Sequence, residues 1–132
     1  MRSIAAVIIG FVTLSLALYA MQGVGTAILV RMHPDLPATA SIVTYSTGTR
    51  VLWVLWETLS MAVAGYVTAR LASTGPVAHA TIMGAIQAIV TLWAMFTVGN
   101  DEPLWFWLAG IATMVPAAWF GGWLRARTAG RV

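Results

Sequence analysis

The feature that most constrains this chain is an apolar run over residues 4–30 that contains no charged side chain. A helix needs about 20 such residues to cross the roughly 30 Å hydrocarbon layer of a bilayer. Three further runs, 51–72, 77–98 and 104–124, are of comparable length and contain few charges. Hydrophobic residues form 60% of the 132 residues and charged residues 8%, which leaves more apolar surface than a small water-soluble core can bury. The sequence predicts an all-α membrane protein with four transmembrane helices.

Two of the connections between the predicted spans are short, and the first connection is long. Residues 73–76 are Ser-Thr-Gly-Pro and residues 99–103 are Gly-Asn-Asp-Glu-Pro, and both sequences end a helix and favour a turn. Helices joined by such short turns pack antiparallel, which predicts an up-down array of the second, third and fourth spans. Residues 31–50 form the long loop, in which 38–45 are candidates for a short helix at the membrane interface. We therefore expect residues 1–132 to form a single four-helix bundle.

The basic residues predict the orientation of this bundle. All seven are arginines, and basic residues near span ends are retained on the cytoplasmic side. With both termini in the cytoplasm, five arginines lie inside and two outside. The five are Arg2, Arg70, Arg125, Arg127 and Arg131, and the two are Arg31 and Arg50. We predict a multi-pass protein of a bacterial-type inner or plasma membrane, with an extracytoplasmic loop at 31–50. Because the arginines do not share one face, we expect no nucleic-acid partner.

Tryptophans near the span ends support the same boundaries. We assign them to the membrane–water interfaces, where the ring stays in lipid and the indole N–H reaches the headgroups. The outer set is Trp53, Trp56, Trp105 and Trp107, and the inner set is Trp119 and Trp123. Trp93 lies deeper in its span, and we expect it to pack between helices.

Each span carries small or polar residues three or four positions apart, which places them on one face of a helix. Such faces bring helices together in lipid, where association relies on close backbone approach and polar contacts. They are Ser15, Tyr19, Gln22 and Thr26 in the first span, Glu57, Ser60, Ala64 and Thr68 in the second, Ala80, Gly84, Gln87 and Thr91 in the third, and Gly110, Thr113, Ala117 and Gly121 in the fourth. We expect all four faces to meet in one shared interior.

Glu57 is the most costly residue of these faces, because a carboxyl group inside a bilayer costs about 3 kcal/mol. It lies roughly 9 Å below the outer boundary at 1.5 Å per residue, too deep for its short side chain to reach water. Gln22 falls at a similar depth and is the preferred hydrogen-bond partner, with Gln87 as the second candidate. Ser60 and Thr91 complete this candidate intramembrane polar site. We expect Glu57 to be protonated, or to share its charge with polar neighbours, at neutral pH.

Other groups of reactive side chains do not form a recognisable site. The chain has no cysteine, which excludes disulfides, thiolate catalysis and iron–sulfur clusters. His33 and His79 fall on opposite sides of the predicted membrane, which excludes joint ligation of a haem or metal. Asp101 and Glu102 are adjacent acids in a turn, and we expect a solvated hairpin tip. We predict no catalytic residue, no metal and no cofactor, and we do not expect an enzyme.

The sequence favours a structural role over transport. A structural or accessory subunit would pack its small-residue and tryptophan-rich faces against its own copies or a larger membrane complex, with Glu57 as an interhelical clamp. The alternative is a small proton- or cation-coupled transporter or channel that works as a homo-oligomer, with Glu57 as its coupling site. A bound lipid or quinone with its polar head at Gln87 or Thr91 is a third hypothesis, which nothing in the sequence selects. Membrane lipids are expected partners in each case.

Overall fold

The computed structural model describes residues 2–32, 46–97 and 102–130. Within those ranges the chain forms four α-helices and no strand. They are α1 (Arg2–Met32), α2 (Thr47–Leu71), α3 (Pro76–Thr97) and α4 (Leu104–Thr128). Each is long and apolar enough to cross a bilayer. The prediction of an all-helical chain with four helices of membrane-spanning length is therefore confirmed, and these helices are compatible with a multi-pass membrane protein.

The second helix begins inside the predicted loop 31–50. Its first residue is Thr47, one turn before the predicted start of the span. The cause is local: Ser46 precedes the helix in an extended conformation, and its Oγ accepts a hydrogen bond from the backbone N–H of Thr49 at 3.0 Å. This bond satisfies one of the free N–H groups of the first turn. The interfacial helix expected over 38–45 lies outside the described residues.

The last helix is longer than its predicted span. It continues to Thr128, one turn past the predicted end at 124, and carries Arg125 and Arg127 in its last turn. Basic side chains there interact favourably with the free carbonyl groups at the end of a helix. The guanidinium of Arg127 also lies 5.3 Å from the ring centre of Trp123, a distance typical of a cation–π contact. The helix therefore extends beyond its apolar segment, because charged and aromatic contacts stabilise its last turn.

The second and third helices are central in the bundle, because each of them packs against the other three helices. The first and the fourth helices both pack against α2 and α3. Within the described ranges, the backbones of α1 and α4 do not approach each other closely, because no Cα atom of one helix lies within 8 Å of a Cα atom of the other. One side of α1 is therefore left outside the bundle, and α4 closes the opposite side.

Contacts along neighbouring helices show their directions. A Cβ atom on Gly10 of α1 would collide with Thr68, near the end of α2. Further along α1, the carbonyl oxygen of Ala17 accepts a hydrogen bond from Trp56, which is nearer to the start of α2. These two helices are therefore antiparallel, and the contacts between α3 and α4 run in opposite order in the same way. The antiparallel order of α3 and α4 is the one that the short turn between them predicts, whereas α1 and α2 are joined by the long connection.

Glycines allow α2 and α4 to approach closely. A Cβ atom on Gly65 would lie 2.8 Å from the Cα of Ala118, and one on Gly121 would lie 2.8 Å from the carbonyl carbon of Ala62. Any larger residue at either position would push the two backbones apart. The largest fully buried apolar side chains between the helices are Met61, Met83 and Met114. Small residues at the contact and flexible methionines around it are a typical solution for helix packing in lipid.

Three of the four predicted faces point to the interior. Every residue of the predicted faces on α2, α3 and α4 is buried or half-buried. For α1 the prediction is wrong, because Ser15, Tyr19 and Gln22 are exposed. The residues that α1 buries against its neighbours are Ala6, Gly10, Leu14 and Gly25. The physical reason is that Ala6, Gly10 and Gly25 are small enough to let the backbone of α1 approach the neighbouring helices closely. The polar residues of α1 lie on a different side of the helix.

Candidate functional site

A cavity of about 250 Å³ lies among α2, α3 and α4, at the end of the bundle where α2 and α4 begin. We call it the Glu57 cavity. Its lining residues are Trp53, Glu57, Thr91, Glu102, Phe106, Trp107 and Gly110. Three aromatic side chains, two carboxyl groups and one hydroxyl group therefore share a space that is large enough for a small organic molecule.

Helical spacing places the acid and the aromatic side chains on this cavity. Trp53 and Glu57 are four residues apart on α2, as are Phe106 and Gly110 on α4, so each pair lies on one face of its helix. Gly110 leaves room for the acid: a Cβ atom at this position would lie 3.2 Å from Oε2 of Glu57. The half-buried Glu57 carboxyl group has no hydrogen-bond or ion-pair partner among the described side chains.

One residue of the cavity lining, Glu102, forms an ion pair with the start of α2. Nε of Arg50, in the first turn of α2, donates to Oε2 of Glu102 at 2.8 Å. Each of the two side chains is only 17% exposed. The expectation that Glu102 belongs to a solvated hairpin tip is therefore wrong, because the acid turns back onto α2, while Asp101 lies outside the described residues. Arg50 is engaged by Glu102, so it does not neutralise Glu57.

The arginine–glutamate pair was missed at the level of the sequence, although a signal for it existed. In an up-down bundle α2 and α4 run in the same direction, so the start of α2 and the start of α4 lie at the same end. Arg50 and Glu102 have opposite charges at these two starts. The topology therefore allows them to meet, and the distance between them depends on how closely α2 and α4 pack.

The structure brings together some of the predicted polar residues and separates others. Thr91 lines the cavity with Glu57, and Nε2 of Gln87 lies 3.4 Å from the hydroxyl oxygen of Thr91, a long hydrogen bond. Ser60 is buried on α2, about one turn from the acid. Gln22 is on the exposed side of α1 and lines a different groove. The expected hydrogen bond between Gln22 and Glu57 is absent from the described contacts.

Two tryptophans of the predicted outer set direct their indole N–H groups into the protein. Nε1 of Trp56 donates to the carbonyl oxygen of Ala17 at 3.2 Å and so connects α2 to α1. Nε1 of Trp107 is buried without a hydrogen-bond partner in the part of the chain that the structure describes. These two residues do not offer their N–H groups to lipid headgroups. Trp93, which we expected to pack between helices, is instead 65% exposed.

The exposed side of α1 forms the second notable surface. It is an open groove, here called the α1 groove, and Tyr19 in it is 75% exposed. Its lining residues are Tyr19, Gln22, Gly23, Thr26, Ala27, Val30 and Arg31. It contains three members of the polar face that the sequence predicts for this helix, interleaved with two small residues. The polar face therefore exists, but it points away from the bundle.

The Glu57 cavity and the α1 groove are candidate binding surfaces. In residues 2–32, 46–97 and 102–130, no cluster of three or more His, Cys, Asp or Glu side chains is placed to hold a metal ion. No protein-family model matches the chain, and neither a curated protein nor a solved structure matches it. The absence of catalytic residues, cofactors and nucleic-acid partners remains a prediction, as does the role of membrane lipids.

Proposed function

We propose that this protein is a structural subunit of a membrane assembly, in which copies of the chain associate through the α1 groove. The observation that supports the proposal is the exposure of Tyr19 and Gln22 on a helix of membrane-spanning length. Polar side chains of transmembrane helices normally face other helices rather than lipid. Within the described ranges, α2, α3 and α4 do not cover this face.

The side-chain amide of Gln22 supplies the energetic reason for association, because it has to find a hydrogen-bond partner in lipid. A primary amide that leaves water without finding a partner costs about 2 to 7 kcal/mol. The amide carries both donors and an acceptor, so the same residue of a second copy can satisfy it. A two-fold axis brings identical surfaces together, and a face that contains its own complement suits this symmetry. Self-association is therefore the simplest way to remove the cost.

The shape of the α1 groove supports helix docking. Gly23 and Ala27 are four residues apart, so two small residues lie one above the other on the same side of α1. A Cβ atom added at Gly23 would meet nothing within 4 Å. Such spacing of small residues lets a second helix approach closely in lipid. The groove thus combines room for a partner backbone with polar groups at its edge.

The chain contains no cysteine, so a single introduced thiol reports which face of α1 is at the interface. We expect Gly23→Cys to form a disulfide-linked dimer when membranes are oxidised, because Gly23 lines the groove and two equivalent thiols close to a two-fold axis fall within disulfide distance. Val24→Cys is the matched control: Val24 is the next residue and is also exposed, but it does not line the groove. It should give little dimer.

A second variant measures the strength of the interface. Gln22→Leu is expected to raise the dissociation constant of the dimer by roughly 5- to 30-fold, which corresponds to about 1 to 2 kcal/mol for interhelical hydrogen bonds in lipid. Energy transfer between labelled copies, measured at several protein-to-lipid ratios, gives this constant. Equal crosslinking of Gly23→Cys and Val24→Cys, together with no effect of Gln22→Leu, would contradict the proposal. A groove covered by another protein subunit, or by residues 33–45 of the same chain, would give that result.

For the orientation we propose that both termini face the cytoplasm. The support is the distribution of arginines, five at the inner ends and two at the outer ends of the spans. A bacterial-type inner or plasma membrane is the proposed location. Thr47→Cys should react with a membrane-impermeant thiol reagent added to intact cells. Ser73→Cys, which lies in the turn before α3, should react only after the cells are opened, and the reverse pattern would invert the topology.

A cation-coupled transporter is the second candidate function. The observation that favours it is the cavity beside Glu57, because an acid inside a bilayer that reaches an open space is a candidate coupling site. Proton or solute flux into vesicles that contain the native protein should then exceed the flux with Glu57→Gln. Equal flux in the two preparations would remove this candidate and leave the structural role unaffected.

A further inference from the structure

The Glu57 cavity has walls that suit a positively charged organic group. Trp53, Phe106 and Trp107 supply three aromatic rings around one space. The rings of Phe106 and Trp107 are in edge-to-face contact, with their centres 5.9 Å apart. Aromatic faces attract cations through the negative charge of their π systems, and tryptophan does so most strongly. Aromatic side chains around one site can therefore replace part of the hydration shell of a cation.

The charges around the cavity favour the same kind of ligand. Among the described residues of the lining, Glu57 and Glu102 are the only ionisable ones, and Glu102 is neutralised by its ion pair with Arg50. Glu57 has no such partner among the described side chains. The cavity therefore presents one carboxyl group that a cationic ligand can pair with. An anion would meet this group without a nearby free cation in the described lining.

The same lining argues against a metal ion. Calcium takes six to eight oxygen ligands, and magnesium prefers six in strict octahedral geometry. The lining of the Glu57 cavity is mostly apolar, with one unpaired carboxyl group and the hydroxyl group of Thr91. A cation with an apolar body fits such a site better, because its alkyl groups can be buried against the rings while the charge stays beside the acid.

We propose that the Glu57 cavity binds an organic ammonium ion, with its nitrogen beside the carboxyl group of Glu57 and its alkyl groups against Trp53, Phe106 and Trp107. The hydroxyl group of Thr91 also lines the cavity and is available to a polar group on the same ligand. This site goes beyond the proposed association through α1. It lies among α2, α3 and α4, whereas the groove belongs to α1, so either proposal can fail alone.

The test compares two molecules of nearly the same shape. Choline is the cationic probe, and the uncharged control is its isostere in which carbon replaces the quaternary nitrogen. Binding of each to the purified full-length protein in detergent is measured by calorimetry. We expect choline to bind saturably, and the uncharged isostere to bind about tenfold or more weakly, because only choline gains the ion pair and the cation–π contacts. Sodium ions at the same concentration should not displace choline.

Variants then assign the site. Glu57→Gln keeps the size of the side chain and removes the carboxyl group that can ionise beside the ammonium nitrogen, so it should weaken choline binding about tenfold and leave the isostere unaffected. Trp53→Leu should also weaken choline binding, whereas Trp93→Leu, which removes a tryptophan outside the cavity, should not. Gly110→Ala adds a methyl group 3.2 Å from Oε2 of Glu57 and should reduce binding while the helix is retained. Circular dichroism and elution volume show which variants are folded.

Three results would overturn the proposal. Equal affinities for choline and its isostere would mean that the cavity is an apolar pocket without selectivity for charge. The absence of choline binding to the folded native protein would exclude this class of ligand. Native-like choline binding in Trp53→Leu and Gly110→Ala would place the site elsewhere, and this conclusion holds even if Glu57→Gln does not fold.

Discussion

Replacement of Gly65 by alanine is expected to destabilise the bundle, because this glycine lies at the contact of α2 with α4. The added Cβ atom would lie 2.8 Å from the Cα and 2.9 Å from the carbonyl carbon of Ala118. Carbon atoms in ordinary contact are about 3.5 to 4.0 Å apart. The two helices must therefore separate by about 1 Å, since the atoms that block the methyl group belong to the backbone and cannot rotate away.

The expected cost of this separation is about 2 kcal/mol. Overpacking a close contact typically costs 1 to 3 kcal/mol, and a gap of 0.5 to 1 Å removes roughly a quarter to a half of the attraction between the atoms that face it. Alanine favours a helix over glycine by up to about 1 kcal/mol in water, which offsets part of the loss. Gly48→Ala controls for this term, because its Cβ atom would have Ser46 Oγ at 3.8 Å as its nearest neighbour.

The assay is reversible unfolding in mixed micelles with increasing sodium dodecyl sulfate, followed by tryptophan fluorescence. The free energy of unfolding of Gly65→Ala should be lower than that of Gly48→Ala by about 2 kcal/mol, because the two variants share the chemical change and differ in the space around it. Equal free energies for these variants would refute the reasoning. That result would mean that α2 and α4 separate at little cost, and that their close approach does not stabilise the fold.

Two further predictions concern polar contacts between helices. Trp56→Phe removes the N–H group that donates to Ala17 and should destabilise the contact between α1 and α2 by about 1 kcal/mol in the same unfolding assay. Trp93→Phe, at a position that is 65% exposed, should change stability little, and equal effects of the two variants would argue against a role for the bond. The Arg50–Glu102 pair should show a coupling energy of about 1 kcal/mol in a double-mutant cycle with Arg50→Met and Glu102→Gln. A coupling energy of zero would show that the pair does not hold the start of α2 against α4.

The number and nature of the helices were predictable from the sequence. Hydrocarbon contains no water to satisfy backbone groups, so a long apolar run crossing it has to be a helix. The runs that begin at Ile4, Val51, Val77 and Leu104 are long enough, and the turns between the last three are too short for any but an antiparallel arrangement. Helix ends were predicted less well, since a cap such as Ser46 acts through one hydrogen bond that hydrophobicity does not register.

The candidate site was predictable only in part. Glu57 was identified because a carboxyl group in an apolar run is costly wherever the helix packs. The involvement of Thr91 followed from the spacing of the third span, and the structure places it on the same cavity. The aromatic residues Trp53, Phe106 and Trp107 were not recognised as part of the site, because tryptophan near a span end also suits a membrane interface.

What the sequence by itself determined is the set of four apolar helices and their order, because each helix follows from the length of an apolar segment and its need for internal hydrogen bonds. The alternating direction of the last three helices follows from the short turns between them. Only the tertiary structure decided that the polar side of α1 faces outward and that Glu102 pairs with Arg50 rather than with solvent. Small and polar residues serve equally well inside a bundle and between bundles, so periodicity identifies a contact face without identifying its partner. The partner depends on which backbones approach closely, and that is a property of the packed helices together.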